Sequence, residues 1–220
     1  SFVEKVKSDG TGFTMFENIR LLDEPIILCL PGSRRSEIDR LMPTFGKTLE
    51  KFSNVLPDAR FVLAPTPDVY EYTKTFLDCM PKDIIFLTAE KTGVEKYLKF
   101  KKASFKISNL ALAASGTVSL ELAVNNTPMV IGYDMRFFSR QIVGFMLKTD
   151  TVNLVNLITG NRNIPEYIGS NFNSENLFLE MVRVYSNNQN QIKDFKKTMD
   201  LLGKNMEQPS IRAANSLLNF

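Results

Sequence analysis

Histidine is absent from all 220 residues. That removes every Ser-His-Asp or Cys-His nucleophile pair, every His-Glu-x-x-His zinc site and any imidazole base supplied by this chain. A base offered here has to be a carboxylate or something less usual. The two cysteines, Cys29 inside an apolar run and Cys79 beside Met80, have neither metal-ligand nor Cys-x-x-Cys spacing; reduced thiols of that kind suit a cytoplasmic compartment. No Asp-x-Asp occurs, so the clustered carboxylates that commonly hold magnesium or manganese on a diphosphate are lacking, and neither metal nor cofactor is expected. No apolar run approaches the ~20 residues that span a bilayer, and no signal peptide is visible. Excess charge is lacking too: 27 basic against 24 acidic side chains leave +3, a mild attraction for phosphates and no case for a nucleic-acid partner. The chain opens at Ser1, without an initiator methionine, on the polar stretch EKVKSDGTGF. That start reads as a piece of something longer.

What is present is an ordinary globular composition, 44% apolar and 23% charged, enough for one domain of about 150–200 residues plus extra helices. PIILCL, bounded by Pro25 and Pro31, has the pattern of a buried strand. Ser36 to about Leu56 is amphipathic and helical, with Ser36 as its N-cap and Pro43 marking a kink or restart. RFVLA (60–64), DIIFL (83–87), NLALAA (109–114) and PMVIGY continue the strand series, separated by helices near 68–79, 93–102 and from Thr117 to about Val124. Such alternation predicts an α/β, Rossmann-like parallel sheet with helices on both faces. After about Ser174 the pattern holds two or three helices and no strand, a helical tail.

Ligands of open parallel sheets bind beyond the carboxyl ends of the strands, and two loops there have suitable chemistry. In LPGSRR, Gly32 lets backbone approach an oxygen closely, Ser33 offers a hydroxyl, and Arg34 or Arg35 brings a planar fork suited to phosphate; a plain Pro-Gly turn with solvated arginines is the bland alternative. In ASGTVSLE, Ser115, Gly116 and Thr117 precede a helix expected to carry no carboxylate in its first turn, which leaves its start free for an anion. Glu121, four residues after Thr117, is placed to accept from a ribose diol; alternatively Thr117 only caps its helix and Glu121 is a surface residue. Taken jointly, the loops favour a nucleotide diphosphate. A third segment, MRFFSRQIVGFMLK, interleaves Arg136, Phe137, Phe138, Arg140, Phe145, Met146, Leu147 and Lys148. It is either a core helix with snorkelling cations or a surface for acyl chains and anionic headgroups. The lysine-rich EKYLKFKK (95–102) reads as a solvated helix face.

LPGSRRSEI, ASGTVSLELA with TPMVIGY, and KTDTVNLVNLITG stand in the order and spacing of the bacterial lipid-A-disaccharide synthases, which the stretch from Pro25 to Ile168 resembles. The resemblance implies the carboxyl-terminal, sugar-nucleotide half of an inverting GT-B glycosyltransferase. It divides the chain into a 1–24 hinge from an amino-terminal domain outside this sequence, a 25–173 UDP-sugar-binding domain and 174–220 carboxyl-terminal helices. It implies a UDP-2,3-diacylglucosamine donor, a 2,3-diacylglucosamine 1-phosphate acceptor, and peripheral contact of a cytoplasmic protein with the anionic inner membrane through Arg136, Phe137, Phe138, Arg140, Met146 and Lys148. A homo-oligomer stays open. Arg34 and Asn156 would be catalytic, Gly32, Ser33, Ser115, Gly116 and Thr117 would bind the diphosphate, and Glu121 the ribose. This chain has Val155 where the family pattern has proline. The catalytic carboxylate is expected outside the chain, and the last helix, 210–220, to be poorly anchored here. Another UDP-sugar transferase or epimerase of the same architecture, and a non-catalytic nucleotide-binding module, remain as alternatives.

Overall fold

The computed structural model describes residues 24–88, 93–134 and 150–203. Among them six parallel strands form one sheet in the order β3-β2-β1-β4-β5-β6: β1 Ile26–Leu30, β2 Arg60–Leu63, β3 Ile85–Phe86, β4 Leu110–Ala113, β5 Met129–Tyr133 and β6 Glu166–Ile168. The expectation of a Rossmann-like parallel sheet holds. β1 alternates its side chains between two cores: Ile27 and Cys29 join one, Ile26, Leu28 and Leu30 the other. A strand buried on both faces has to be apolar at every position, which is why IILCL reads as an unbroken run. Burial also pushes the Cys29 thiol well above its ordinary range, leaving it a small hydrophobe rather than a nucleophile.

The helices are α1 Arg35–Val55, α2 Tyr70–Lys74, α3 Gly93–Ile107, α4 Val118–Val124, α5 Leu154–Thr159, α6 Ser174–Ser186 and α7 Gln189–Leu201. α1 and α6 cover one face of the sheet, and α3, α4, α5 and α7 the other. On α1 the buried positions Ile38, Leu41, Met42, Phe45, Leu49 and Phe52 keep helical spacing. α1 runs unbroken through Pro43, with no restart there. Pro43 stands on the exposed face, as does Asp39, whose carbonyl a proline leaves without its helical partner, so water can replace that bond.

Several elements differ from expectation. The helix expected over 68–79 is instead a 3-10 turn, the short α2 and a second 3-10 turn (Leu77–Cys79). β3 is two residues long, and β6, flanked by Pro165 and Gly169, was too short to show a period of its own. The tail helices are not an appendage. Leu177, Met181 and Val184 of α6 belong to one core and Phe195 of α7 to the other. Gln191 of α7 ties itself to β5 by accepting from the Met129 amide (2.9 Å) and donating to its carbonyl (3.0 Å). The expected last helix at 210–220 and the hinge at 1–24, apart from its final residue, lie outside the described residues.

Gly46 of α1 packs directly on the backbone of Cys79, and a β-carbon there would overlap the Cys79 carbonyl oxygen. Alanine is normally better than glycine inside a helix by ~1 kcal/mol, but backbone cannot yield as a side chain can. Gly46→Ala should therefore destabilise the protein by about 1–3 kcal/mol. The check is a lower urea midpoint at unchanged slope; a raised midpoint would mean that helix and turn are not in this contact.

Candidate functional site

The chain winds from β1 outward through β2 and β3, and from β4 outward through β5 and β6, so β1 and β4 sit side by side where the winding reverses. Loops leaving adjacent strands at such a point diverge to opposite faces and leave a crevice between them. The structure has a cleft of about 490 Å³ there, lined by Gly32, Ser33 and Arg34 after β1 and by Ser115, Gly116 and Thr117 after β4. Six residues expected to share a site thus line one cleft.

The first loop is organised differently from its sequence reading. Arg34, extended at φ −122°, is the residue that precedes α1, and the expected cap, Ser36, already lies inside the helix. The shift is explained by Glu37, in the first turn and buried among apolar neighbours. Its Oε2 accepts from the Ser33 amide (2.8 Å) and the Arg34 amide (3.2 Å), and its Oε1 from the Tyr133 hydroxyl (3.3 Å). Gly32 has φ +104°, and a β-carbon there would collide with Glu37 Oε2. The oxygen that Gly32 admits is thus Glu37's own, and the Ser33 and Arg34 amides are engaged by it. The Tyr133 phenol is pushed up to about 12, by burial first and then by the Glu37 charge. Arg34 is left with a guanidinium 3.6 Å from Glu37 Oε1 and 71% exposed, anchored at one end and open at the other.

The second loop has Gly116 at φ +141° and Thr117 already helical, with no side-chain cap. Among the described residues the amides of Gly116, Thr117 and Val118 have no hydrogen-bond acceptor. α4 starts at Val118, so Glu121 falls within its first turn, against the expectation of a first turn free of carboxylate. Seven residues also sum only a small dipole; any anion held here is held by loop amides. Glu121 is exposed one turn beyond the lining, and its charge is felt by Lys101.

Asn156 stands behind the cleft lining. Its segment is α5, capped by Asn153, whose Oδ1 accepts from the amides of Val155 (2.9 Å) and Asn156 (3.2 Å). The first of those bonds needs an N–H at position 155, which a proline there would not supply. The Asn156 side chain is fully buried. Its Nδ2 donates to the Ile164 carbonyl (2.8 Å) and Glu166 Oε2 (3.2 Å), and its Oδ1 accepts from the Ile164 amide (3.0 Å). It fixes the segment whose Val152, Leu154 and Leu157 line the cleft, and is not itself among the residues of that lining. Nearby carboxylates are engaged as well: Glu166 accepts from Thr151 and the Val152 amide, Asp134 pairs with Arg40 at 3.4 Å, and Asp150 is held below the usual carboxylate range by the Arg162 guanidinium. Arg136, Phe137, Phe138, Arg140, Phe145, Met146, Leu147 and Lys148 lie outside the described residues.

Sequence reasoning missed Glu37, Thr66, Lys101 and Tyr133, all of which line the cleft. Glu37 had a signal, a carboxylate three residues after the true cap position. Tyr133 and Thr66 had none beyond standing at the end of one strand and shortly after another.

A family model described as lipid-A-disaccharide synthetase matches residues 2–219. The lipid-A-disaccharide synthase of Ruegeria pomeroyi is 37% identical over 195 residues, 89% of this chain and 49% of that protein. The chain spans about half the length of the curated relatives it matches. Among solved structures, the UDP-GlcNAc 2-epimerase of Neisseria meningitidis bound to UDP-GlcNAc superposes with TM-score 0.58 at 14% identity, over 100% of this chain and 52% of that one. The C-terminal domain of a group 1 glycosyl transferase from Francisella tularensis superposes with TM-score 0.53 at 13% identity, over 87% and 91%. At such identities the likeness shows the fold, the Rossmann-like half of the GT-B architecture.

The buried bonds of Asn156 have a direct consequence. Asn156→Ala would leave the Ile164 amide and carbonyl without their partner in a buried setting, and should lower stability by about 2–4 kcal/mol. Thermal melting checks this without any substrate; an unmoved transition would return Asn156 to the ligand.

Proposed function

Because the chain belongs to the lipid-A-disaccharide synthetase family, we propose that it is the nucleotide-sugar half of a glycosyltransferase joining UDP-2,3-diacylglucosamine to 2,3-diacylglucosamine 1-phosphate, with release of UDP. The observation that carries this reading is the cleft itself. An open guanidinium, Arg34, and the unpartnered amides of Gly116, Thr117 and Val118 meet at the reversal point of the sheet. That is a donor set for an anion with many oxygens. A UDP-sugar bound to a protein of the same fold supports it.

In this mechanism the acceptor 6-hydroxyl attacks the anomeric carbon of the donor from the side opposite UDP. The new carbon–oxygen bond forms as the bond to the β-phosphate oxygen breaks, and the hydroxyl proton passes to a carboxylate. Charge accumulates on the departing diphosphate, where Arg34 and the loop amides are already oriented to meet it without reorganisation. Glu121 at the rim takes the ribose diol. Asn156 acts at one remove, by holding the cleft wall. Glu37, Glu166, Asp134 and Asp150 are engaged by partners and Glu121 is assigned to the ribose, so this reading takes the base and the acceptor contacts from outside the described residues.

The chain should bind UDP weakly, and Arg34→Ala should weaken binding by about ten- to a hundred-fold, since a charge-assisted hydrogen bond contributes about 1.5–3 kcal/mol. Calorimetry reads this, and equal affinities would remove Arg34 from the site. A radiolabel assay on the chain alone should show no disaccharide, because acceptor and base have to be held opposite the donor; product would place the base within it.

Membrane contact belongs to the same proposal. No helix among the described residues is long and apolar enough to cross a bilayer, while both substrates are lipids. The cationic and aromatic stretch from Arg136 to Lys148 is the part suited to a peripheral, inner-face location. Replacing Phe137 and Phe138 with Ser should reduce co-sedimentation with anionic liposomes, and a folded variant that sediments unchanged would return this stretch to the core.

A further inference from the structure

Arg34 is not the only cation at the cleft. Lys101 lies in the middle of α3, four residues after Tyr97 and four before Phe105, both buried to 1% exposure. That spacing puts all three on one stripe of the helix. Its neighbours Lys99, Lys102 and Lys106 are exposed, as the lysine-rich pattern predicts, and Lys99 pairs with Glu95. Lys101 instead turns inward, half-buried, and lines the cleft.

Its surroundings leave it poorly compensated. The ammonium sits 6.0 Å from the Phe105 ring centre, a weak cation–π contact. Among the described residues no carboxylate is within ion-pair distance; Glu121 acts on it only through its field. Burial lowers its pKa, and Glu121 offsets part of that. Close by, the Tyr97 hydroxyl donates to the Pro65 carbonyl, which ties α3 to the segment carrying Thr66. The Thr66 hydroxyl is buried, lines the same cleft and has no hydrogen-bond partner among the described residues. A withdrawn ammonium and a withdrawn hydroxyl each lose hydration, and a structure that keeps both without internal partners has them facing a ligand. An ammonium offers three donors and a hydroxyl one more, all suited to anionic oxygens.

We propose that Lys101 and Thr66 form a second anchoring pair for the phosphate oxygens of the ligand, across the sheet from Arg34. This rests on the nucleotide-sugar reading and adds to it. α1 and α3 cover opposite faces, so a diphosphate in the crevice is gripped by one cation from each side. Lys101 carries no carboxylate of its own to displace, whereas Arg34 is shared with Glu37.

The test measures UDP, uridine and inorganic pyrophosphate on wild type, Lys101→Met and Thr66→Val. Calorimetry reads the anions and ligand-observed NMR reads uridine. Lys101→Met keeps the apolar stem of the side chain, and its melting temperature reports whether it folds; Lys101→Gln is the second variant. The expected result is a loss of about ten- to a hundred-fold for UDP on Lys101→Met, a smaller loss on Thr66→Val, and unchanged uridine binding. Undiminished UDP affinity overturns the proposal, as does an equal loss for uridine, which would make Lys101 a wall for the nucleoside. If wild type fails to bind UDP, the nucleotide reading falls, and pyrophosphate decides the pair by itself. Pyrophosphate bound by wild type and weakened in Lys101→Met sustains it, and pyrophosphate bound by neither overturns it.

Discussion

The cleft takes its shape from the carboxylate of Glu37 resting on the amides of Ser33 and Arg34. A loop leaving a buried strand has donors that must be satisfied, and here the first turn of the following helix reaches back to satisfy two of them. Three other features follow. Gly32 is required because its backbone has a positive φ and because Glu37 occupies the space a side chain would need. α1 begins at Arg35, since the cap is fixed by that bond and not by Ser36. Tyr133, at the end of β5, is drawn to the same carboxylate, so that loops from two strands are held by one group.

A resident carboxylate beside a proposed anion site looks self-defeating, and the magnitudes show why it need not be. The Glu37 charge is taken up by two amides and a phenol hydroxyl, bonds that a charged acceptor strengthens. Its contact with Arg34, at 3.6 Å with the guanidinium mostly in water, is a screened surface pair of small worth. Arg34 is therefore oriented at small expense and keeps donors in hand. The loop after β4 has no such internal acceptor, and its amides stay open.

The parts of the fold that could be read from sequence were those where one physical demand dominated. Strands buried on both faces had to be continuous and apolar, and β1, β4 and β5 are where expected. β3 falls within the strand read at 83–87, only shorter, while β6 was obscured because a strand of three half-buried residues carries no period. The positions of Arg34 and of Ser115 to Thr117 were legible because a switch-point crevice is a topological consequence. The buried placement of Asn156 was not, because an asparagine that holds a wall and one that touches a ligand are the same letter. Lys101 was hidden in a lysine-rich run, although the Tyr97-Lys101-Phe105 stripe singles it out once the buried face of α3 is known.

The central position of β1 also bears on how the molecule is made. β1 finds its first neighbour in β2, but its other edge waits for β4: the bond from Ile26 to Asn109 spans 83 residues. At ribosomal speeds of about 5–20 residues per second, an apolar strand with a row of open backbone groups stands uncovered for roughly 4–17 s. Nascent chains of this fold therefore depend on their surroundings most while the stretch between β2 and β4 is being synthesised. The crevice cannot exist before then, so ligand has no folding intermediate to rescue until both central strands have emerged.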